Sequence, residues 1–563
     1  MFIKLVPIKS KNDKLVYLAH GYRDSNNKVK HRLIKLYGYL GELEASEPNV
    51  LERLRREAKK ISNDNIEVTL KVSTAQIKKR GNKKKFNYGY SFLEAIYNSL
   101  TIPKFIDFYS ENKRFKYNLD DILKLLVFSR CLNPSSKRES FNQRGNYFFE
   151  LEDFSLDNVY ESLSNMSEMK DGLMVHLNKE LVKQGLRDVS LVFYDVTNYY
   201  FESEALSELK QRGVSKENRK TAIIQMGLFI DNNGIPITYE LFSGNTNDLS
   251  TMRPILEKVK KDYNLGKITI VGDKGNNSSS NLKMIKDYGD DYIIAQRIRN
   301  RGNKYSDIVL DQSGYIESQD KSFRYKLVAF DKEIELSDGS IEVIKEHLMC
   351  FWSKDEEAYQ KNKRGLLDEK IEKFINEPSK LKASNSFGIK KYFKQVKVDK
   401  GGEILKGKDT FVFNQKKYER DIALDGYYTI VTNNLDLSPM EIVKYYRQLS
   451  RIEESFKITK SDLEGRPIYV WTDEHIKGHF LTCYLSLLIY RILQIKLENK
   501  YPVHKIKAAL NSAELVSDSS GICTIIDQDL IFDEICKKFE VDYLRDYMSV
   551  EQIKQNIKKT IQS

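Results

Sequence analysis

Tyr446, Glu453 and Lys460 follow one another at intervals of seven residues, in a stretch without proline or glycine. The stretch predicts a helix that ends before Gly465 and Pro467. Seven residues make about two turns at roughly 3.6 residues per turn, so the three side chains would lie on one face. A phenol, a carboxylate and an ammonium group on one face could hold a metal ion and a phosphate. A solvated face with a Glu–Lys pattern explains this helix equally well.

Two apolar runs each contain one carboxylate. Asp195 lies within residues 190–198, and Asp273 lies in residues 268–275, just before Gly275. Such runs predict strands that are buried on both faces, where a carboxylate is costly unless it is paired or bound to a cation. A single aspartate at a strand end more often caps the next turn. That alternative explains poorly why Asp195, Asp273 and Glu453 occur together, and we predict all three as catalytic metal ligands.

These residues together resemble the DDE transposases of bacterial insertion sequences. Within that family they resemble the IS-four type branch with the YREK signature, Tyr-x2-Arg-x3-Glu-x6-Lys, and most of all its IS1634-like members. Tyr446, Glu453 and Lys460 match the signature, whereas Leu449 stands at the position of its arginine. The resemblance covers roughly half of the chain and includes residues 213–219, 227–248 and 453–479. It implies an RNase H-like catalytic core.

The resemblance also implies a chemistry. Two Mg²⁺ ions, about 3.5–4 Å apart, with Mn²⁺ as a substitute, would be held by Asp195, Asp273 and Glu453. Tyr446 and Lys460 would hold the phosphate beside the cut. The implied reaction is cut-and-paste movement, with nicking at the element's end, a hairpin intermediate and transfer into target DNA. The implied partners are the terminal inverted repeats, the target DNA and a second copy of the chain, which would form a homodimer in the synaptic complex.

Further residues are candidates for DNA binding. Arg447 and Arg451 lie two residues either side of Leu449, roughly 200° around a helix, so neither replaces the missing arginine without a shift. Lys216 and Arg219 belong to a basic connection at 213–220. Family members stack an aromatic side chain on a flipped base, and Trp352 is the candidate. A tryptophan that packs within its own domain is the commoner case.

Two other polar motifs have open interpretations. Residues 133–138 form a loop that ends in Lys137 and Arg138 and leads into a helix. Such a loop suits a phosphate, and plain helix packing explains it equally well. His475 and His479 are spaced for metal binding on a helix, but without a third ligand nearby, packing or DNA contact is favoured.

The composition points to a polyanionic partner. The chain has 563 residues, 31% of them charged, and a net charge of +12. Nucleic acid is the simplest such partner, and a biased genome is the alternative. The five cysteines form no CxxC pair, which argues against a zinc site or a disulfide framework and suits a reducing cytosol. The first residues lack the apolar stretch of a secretory signal, and the apolar run 480–495 contains Arg491. We therefore predict a buried helix there, a cytoplasmic protein and no membrane partner.

The predicted fold class is α/β, or α+β multidomain, with an RNase H-like core interrupted by a mainly β insertion. The predicted regions are a basic β/α unit at 1–90, a helical region at 91–185 that would bind the transposon end, the first part of the core at 186–300, the insertion at 301–436, the second part of the core with the glutamate helix at 437–500, and a helical C-terminal region at 501–563.

Periodicity gives the predicted elements within these regions. Strands are predicted at 2–6, 15–19 and 32–38, followed by a helix at 49–61 and a basic linker at 78–85. Helices are predicted at 91–100, 118–129, 156–164 and 169–185. The strands at 221–230 and 235–242 are joined by a hairpin turn, residues 231–234. From 186 the order is three antiparallel strands, helix, strand, helix, strand, which is the RNase H-like order when it is interpreted through the resemblance.

Two other classes of function remain open. A sequence-specific DNA-binding protein could keep the fold and lose the chemistry, and the absence of the signature arginine favours this mildly. The three carboxylates argue against it. A weaker alternative is an RNase H-like nuclease that cannot join DNA ends.

Overall fold

The computed structural model describes residues 2–8, 13–23, 29–47, 49–64, 84–203, 205–214, 221–247, 250–263, 265–299, 304–335, 339–376, 388–398, 408–517, 521–526 and 528–562. The chain divides into two compact units, Met1–Arg80 and Gly81–Ser563.

The first unit is a three-stranded antiparallel sheet with two helices. Its elements are β1 (Phe2–Ile8), β2 (Asp13–Arg23), β3 (Val29–Tyr39), α1 (Leu40–Ser46) and α2 (Val50–Asp64). Val16 of β2 and Val50 and Leu54 of α2 are buried together, because the strand alternation and the helical spacing each place an apolar face inward. The predicted strands and helix are confirmed. The turn after β2 and most of the basic linker lie outside the described residues.

The second unit begins with a largely helical part. Its elements are β4 (Lys84–Asn87), α3 (Tyr90–Ser99), α4 (Ile102–Ser110), α5 (Leu119–Leu132), α6 (Lys137–Asn142) and α7 (Leu156–Lys183). The prediction of two helices between 156 and 185 is wrong, because α7 is one helix of 28 residues. Met166 and Met169 are buried and carry the apolar stripe across the expected gap. A capping box at Ser155 fixes its start.

A large mixed sheet follows. Its first elements are β5 (Val192–Tyr200), β6 (Ile223–Asp231), β7 (Pro236–Ser243), α8 (Met252–Asp262), β8 (Thr269–Gly272), α9 (Ser279–Asp287) and β9 (Asp291–Ala295). Strands β5, β6 and β7 pair antiparallel, and β8 lies parallel to both β5 and β9. The predicted element order is therefore found. The hairpin turn is also found, and Gly234 supplies its positive φ of 79°.

The region predicted as an insertion adds to this same sheet. Its elements are α10 (Lys304–Leu310), β10 (Ile316–Glu317), β11 (Phe323–Glu335), β12 (Ile341–Ser353), α11 (Lys354–Asn376), β13 (Phe393–Val398), β14 (Lys408–Phe413), α12 (Gln415–Ala423) and β15 (Tyr427–Thr432). The sheet has nine strands in the order β10-β11-β12-β15-β9-β8-β5-β6-β7. Strand β15 pairs with β9, so β10–β12 extend the sheet beyond the edge of β9. Among the strands described in this region, β13 and β14 pair antiparallel with each other in a separate two-stranded sheet.

Three helices and a π-helical turn come next. They are α13 (Pro439–Arg447), α14 (Ser450–Lys457), a π-turn (Ile458–Asp462) and α15 (Asp473–Lys496). Among the described residues, α15 is the one helix long and apolar enough to cross a membrane, and 94% of its most apolar window is buried within the protein. The predicted buried helix is confirmed, and it packs against α5 and α7.

The last region is not wholly helical as predicted. Its elements are α16 (Val503–Ser512), β16 (Glu514–Ser517), β17 (Ile522–Ile525), α17 (Leu530–Lys538), β18 (Tyr547–Ser549) and α18 (Val550–Gln562). The three strands form a four-stranded sheet with β4, in the order β18-β17-β16-β4. The partner strand β4 lies far away in the sequence, which local periodicity cannot detect. All five cysteines are free and buried.

Candidate active site

Asp195 and Asp273 are brought side by side by the parallel pairing of β5 with β8. The last paired residues are Tyr194 and Gly272, so the next residue of each strand is one of the two aspartates. Both side chains are half-buried. The Asp195 carboxylate accepts a hydrogen bond from the backbone N–H of Val196 at 2.7 Å. Two carboxylates from distant parts of the sequence thus share one edge of the sheet.

The turn after β8 orients the Asp273 carboxylate. Its Oδ1 accepts hydrogen bonds from the backbone N–H of Gly275 at 2.7 Å and from Nδ2 of Asn276 at 3.3 Å. The same Nδ2 lies 3.5 Å from the carbonyl oxygen of Tyr194. A Cβ at position 275 would lie 2.8 Å from Asp273 Oδ1, so any larger residue there would push the carboxylate aside. Asn276 therefore links the two strands that carry the aspartates.

The segment that carries Tyr446, Glu453 and Lys460 is not the continuous α-helix that the sequence predicts. Helix α13 ends at Arg447 and α14 begins at Ser450. Between them, the N–H of Leu449 bonds to the carbonyl of Tyr446 at 3.0 Å, an i to i+3 bond that tightens the turn. Lys460 lies in the wider π-turn. Contacts with the sheet, not a uniform seven-residue repeat, therefore place these side chains.

Tyr446 lies near all three predicted catalytic carboxylates. Burial raises the pKa of its phenol above the usual range, and the charges of Asp273, Glu453 and Asp195 raise it further. Helix α13 packs against β8 and β9. The phenol therefore stays protonated near neutral pH and can donate a hydrogen bond at this site.

Glu453 lies in the first turn of α14, and this helix packs against β5. Its side chain is exposed. Among the described residues, no group of three His, Cys, Asp or Glu side chains is arranged to hold a metal ion. A metal site shared by Asp195, Asp273 and Glu453 therefore stays a prediction, and the pairing of β5 with β8 places only the two aspartates side by side.

Lys460 lies against the strand that carries Asp195. Its Nζ donates a hydrogen bond to Oγ1 of Thr197 and lies 5.6 Å from the centre of the Tyr199 ring. Thr197 is two residues beyond Asp195, on the same face of β5. The ammonium group is thus fixed on the strand face that presents the carboxylate.

The other signature positions have different surroundings. Leu449 packs against the hydrophobic core, which accounts physically for a leucine there. Arg447 is exposed at the end of α13. Arg451 donates a hydrogen bond from Nη1 to Oδ1 of Asn232, in the turn between β6 and β7, at 3.4 Å. DNA contacts by Arg447 and Arg451 remain predictions.

Trp352 is half-buried in β12. The guanidinium of Arg324 lies 4.9 Å from the centre of its ring, and a Cβ at Gly426 would lie 2.6 Å from its Nε1. The ring thus packs among neighbours in the sheet, and base stacking by Trp352 remains a prediction. Lys216 and Arg219 lie outside the described residues.

Two residues near the aspartates were not singled out from the sequence. Thr197 and Asn276 are buried polar side chains that bond to Lys460 and Asp273 respectively. A polar residue within the apolar run of β5, and an asparagine just after β8, are weak signals on their own.

Of the two histidines, His479 is buried and its Nε2 lies 3.2 Å from the carbonyl oxygen of Gly465. Packing therefore accounts for His479.

Two family models match the chain. Residues 190–489, more than half of the chain, match the family described as "Transposase DDE domain". Residues 3–68 match "IS1634 family transposase, N-terminal domain". Among solved structures, the chain is similar to a cryo-EM structure of the piggyBac transposase synaptic complex with hairpin DNA. The sequence identity is 9% and the TM-score is 0.35, over 84% of this chain and 85% of that chain. None of the curated proteins matches the chain.

Proposed function

Since the chain belongs to the DDE transposase family and is IS1634-like, we propose that it cuts and joins DNA at the ends of an insertion sequence. The reaction is metal-dependent hydrolysis and transesterification of phosphodiester bonds. It proceeds by cut-and-paste movement through a hairpin intermediate on the element's end. Two copies of the chain bring the two ends together in the synaptic complex.

The observation that carries this proposal is the parallel pairing of β5 with β8, which ends at Asp195 and Asp273. The strand order β7-β6-β5-β8-β9 supports an RNase H-like core, because it contains three antiparallel strands followed by two parallel ones. The packing of α14 against β5 supports Glu453 as the third acidic residue.

The donor set fits divalent magnesium. All three predicted ligands are carboxylates, which hard cations prefer over nitrogen and sulfur ligands. Asp195 would contact both ions, and Asp273 and Glu453 would each hold one. When bound, the ions neutralise phosphate charge and activate the attacking water or 3′-hydroxyl group.

The neighbouring side chains position the DNA. The protonated phenol of Tyr446 donates a hydrogen bond to a phosphate oxygen beside the cut. The ammonium group of Lys460 adds a positive charge on the same face of β5, where Thr197 limits its motion. Asn276 holds the Asp273 carboxylate in one orientation. These groups favour the charge that builds up on the phosphate as the bond breaks.

The test is a nicking assay with the full chain, Mg²⁺ and a duplex that carries the inverted repeats from the DNA flanking the reading frame. Asp195→Asn and Asp273→Asn should lower nicking by more than about 100-fold, beyond the loss typical of residues that only orient a metal ligand. Binding to the repeats should remain. Asp436→Asn, at an exposed aspartate between β15 and α13, is the matched control. Normal nicking by Asp195→Asn would overturn the assignment.

Leu449 favours one rival function. Its apolar side chain packs on the core where the signature has an arginine, so it cannot supply a phosphate contact from that position. A DNA-binding protein without activity would bind the repeats and produce no Mg²⁺-dependent nick. Recovery of insertions in target DNA separates a transposase from a nuclease that cannot join ends.

A further inference from the structure

A second group of cationic side chains is buried around a cavity that the three predicted catalytic carboxylates do not line. It consists of Arg130 on α5 and Lys137 on α6, with His479 of α15 beside them. Arg130 is 6% exposed and Lys137 is 4% exposed. Burying two such charges is costly unless an anion or a set of hydrogen bonds compensates them.

The described neighbours compensate these charges only partly. Arg130 donates to the carbonyl oxygens of Leu463, Glu464 and Ser135, at 3.3, 3.3 and 2.9 Å, while its Nε is buried without a partner. Lys137 donates from Nζ to Oγ1 of Thr482 at 3.3 Å. All these acceptors are neutral oxygens. Among the described residues, neither cation forms an ion pair with a carboxylate.

The pKa values of Lys137 and His479 are consistent with this incomplete compensation of charge. Burial, together with the positive charge of Arg130, lowers the pKa of Lys137 to about 7. Burial also lowers the pKa of His479 well below its usual value, and Lys137 and Arg130 lower it further. An anion bound between Arg130 and Lys137 would offset this mutual repulsion and favour the protonated lysine.

The cluster lines an open cavity of about 370 Å³. This volume is within the range of sites that hold small ligands. Ser135, Ser136 and Arg466 also line the cavity. Glu139 and Glu464 lie at its edge with exposed side chains. The Glu139 carboxylate accepts a hydrogen bond from Gln143 at 2.6 Å, so Glu139 is engaged along its own helix.

An exposed aromatic ring lines the cavity, and a second one follows two residues later in the sequence. Tyr469, which lines the cavity, is 62% exposed, and Trp471 is 64% exposed. Ile468 and Val470 alternate with them and are buried. Nζ of Lys210 lies 5.3 Å from the centre of the Trp471 ring. Exposed rings beside cations are typical of surfaces that bind single-stranded nucleic acid.

We propose that this cavity, formed by Arg130, Lys137, Ser135 and Arg466, binds a backbone phosphate of a DNA strand whose neighbouring base stacks on Tyr469. Neither Asp195 nor Asp273 lines the cavity, and the proposal rests on the proposed function only for the choice of DNA as the source of the phosphate. Inorganic phosphate has the same chemistry and serves as the simplest probe.

The first test measures the melting temperature of the full chain with increasing inorganic phosphate, against chloride at equal ionic strength. Phosphate should raise the melting temperature in a saturable way, because it binds the folded state alone. Lys137→Met fills the same space without a charge and should abolish this rise, whereas Lys179→Met, at an exposed lysine of α7, should keep it. A wild-type protein that does not respond to phosphate would overturn the site.

The second test identifies the source of the phosphate by the affinity for a single-stranded oligonucleotide over a range of salt concentrations. Lys137→Met should weaken binding about 10-fold and lower the slope of log affinity against log salt by about 1. Tyr469→Ala should weaken binding by at least about 5-fold, while Tyr547→Ala, at an equally exposed tyrosine, should not. Unchanged affinity and slope in Lys137→Met would show that the cavity takes free phosphate and not DNA.

Both tests can be run in the Asp195→Asn background, because neither requires cleavage. If the wild-type protein does not nick DNA but still responds to phosphate, the result contradicts the proposed function alone. If the wild-type protein nicks DNA but does not respond to phosphate, the result contradicts the phosphate site alone. Without phosphate, Lys137→Met should melt at or above the wild-type temperature, since an uncompensated buried charge has been removed. Tyr469→Ala changes an exposed side chain and tests the DNA assignment even if Lys137→Met misfolds.

Discussion

Lys460 donates a hydrogen bond to Thr197, which ties the segment after Glu453 to the strand that carries Asp195. Thr197 is buried, and Lys460 is half-buried. The bond fixes the ammonium group relative to the Asp195 carboxylate two residues away on the same strand face. The relative position of the phosphate-binding and acidic side chains therefore depends on a contact between distant parts of the chain.

Lys460→Met should lower the nicking rate by about 100-fold, the loss typical when one preorganised charged donor is removed. Methionine keeps most of the side-chain volume and loses the charge. Lys457→Met, at an exposed lysine one turn earlier, is the matched control. The measurement is the single-turnover rate of nicking at saturating Mg²⁺.

Thr197→Val separates the two roles of Lys460. Valine keeps the shape and removes the acceptor, so the ammonium group keeps its charge and loses its fixed position. A loss smaller than that of Lys460→Met is expected. Equal activity in Lys460→Met and wild type would contradict a role of this lysine beside the cut.

Asn276 is a positioning residue for Asp273. Asn276→Ala removes the hydrogen bond to Asp273 Oδ1 and the contact with the carbonyl oxygen of Tyr194. The Mg²⁺ concentration that gives half-maximal nicking should rise about 10-fold or more, while the rate at saturating Mg²⁺ changes less. Asn281→Ala is less suitable as a control because Asn281 also bonds to the Asn276 carbonyl. Asn434→Ala, at a half-buried asparagine after β15, is the better one. An unchanged Mg²⁺ dependence would show that Gly275 alone orients the carboxylate.

The elements around the aspartates could be predicted because the sequence patterns that mark them are local. A buried strand is marked by an unbroken apolar run, and the hairpin between β6 and β7 by Asp231–Gly234. The break between α13 and α14 could not be predicted, since Gln448 and Leu449 are compatible with a helix. The packing of Leu449 on the core, which the sequence alone does not show, favours the tightened turn there.

Long-range pairing explains the other differences. Strand β15 is not among the strands predicted from the sequence, and its pairing with β9, which joins β10–β12 to the main sheet, depends on tertiary structure. In the same way, β16 pairs with β4, at the opposite end of this unit. Trp352 became the candidate for base stacking through the resemblance. Its contact with Arg324 and the exposure of Tyr469 and Trp471 depend on tertiary structure.

A buried ion pair stabilises the hairpin beside β5. Arg187 Nη1 lies 2.8 Å from Asp231 Oδ2, and their side chains are 1% and 0% exposed. Burial raises the pKa of Asp231 and the charge of Arg187 opposes that shift. Arg187→Met should lower the free energy of unfolding by about 3–5 kcal/mol, because it leaves a buried carboxylate unpaired. Urea unfolding provides the measurement.

A matched control and a double variant make this prediction specific. Lys183→Met, at the exposed ion pair with Glu180, should change the free energy of unfolding by less than about 1 kcal/mol. The double variant Arg187→Met and Asp231→Asn should recover part of the lost stability, because no net charge remains buried. Equal effects of Arg187→Met and Lys183→Met would contradict a dominant role for burial.

The lowered pKa of Lys137 predicts a pH dependence of stability. Its folded value of about 7 is below the usual lysine value of 10.5, so between these pH values the unfolded chain binds a proton that the folded protein does not. The free energy of unfolding that Lys137 contributes should therefore rise with pH across this window, by about 1.4 kcal/mol per pH unit. In urea unfolding, the free energy of unfolding of the wild type should rise by this amount per pH unit relative to that of Lys137→Met.

The groups that face Lys137 do not obscure this difference. Arg130, whose charge lowers the pKa of Lys137, is present in both proteins. His479 has a pKa well below its usual value, and burial raises the pKa of the Cys483 thiol. Both are also present in Lys137→Met, so their own titration largely cancels in the comparison. Saturating inorganic phosphate should reduce the pH dependence, because a bound anion favours the protonated lysine. Parallel pH profiles for the two proteins would show that the ammonium group is compensated in the folded state, which the cavity geometry does not predict.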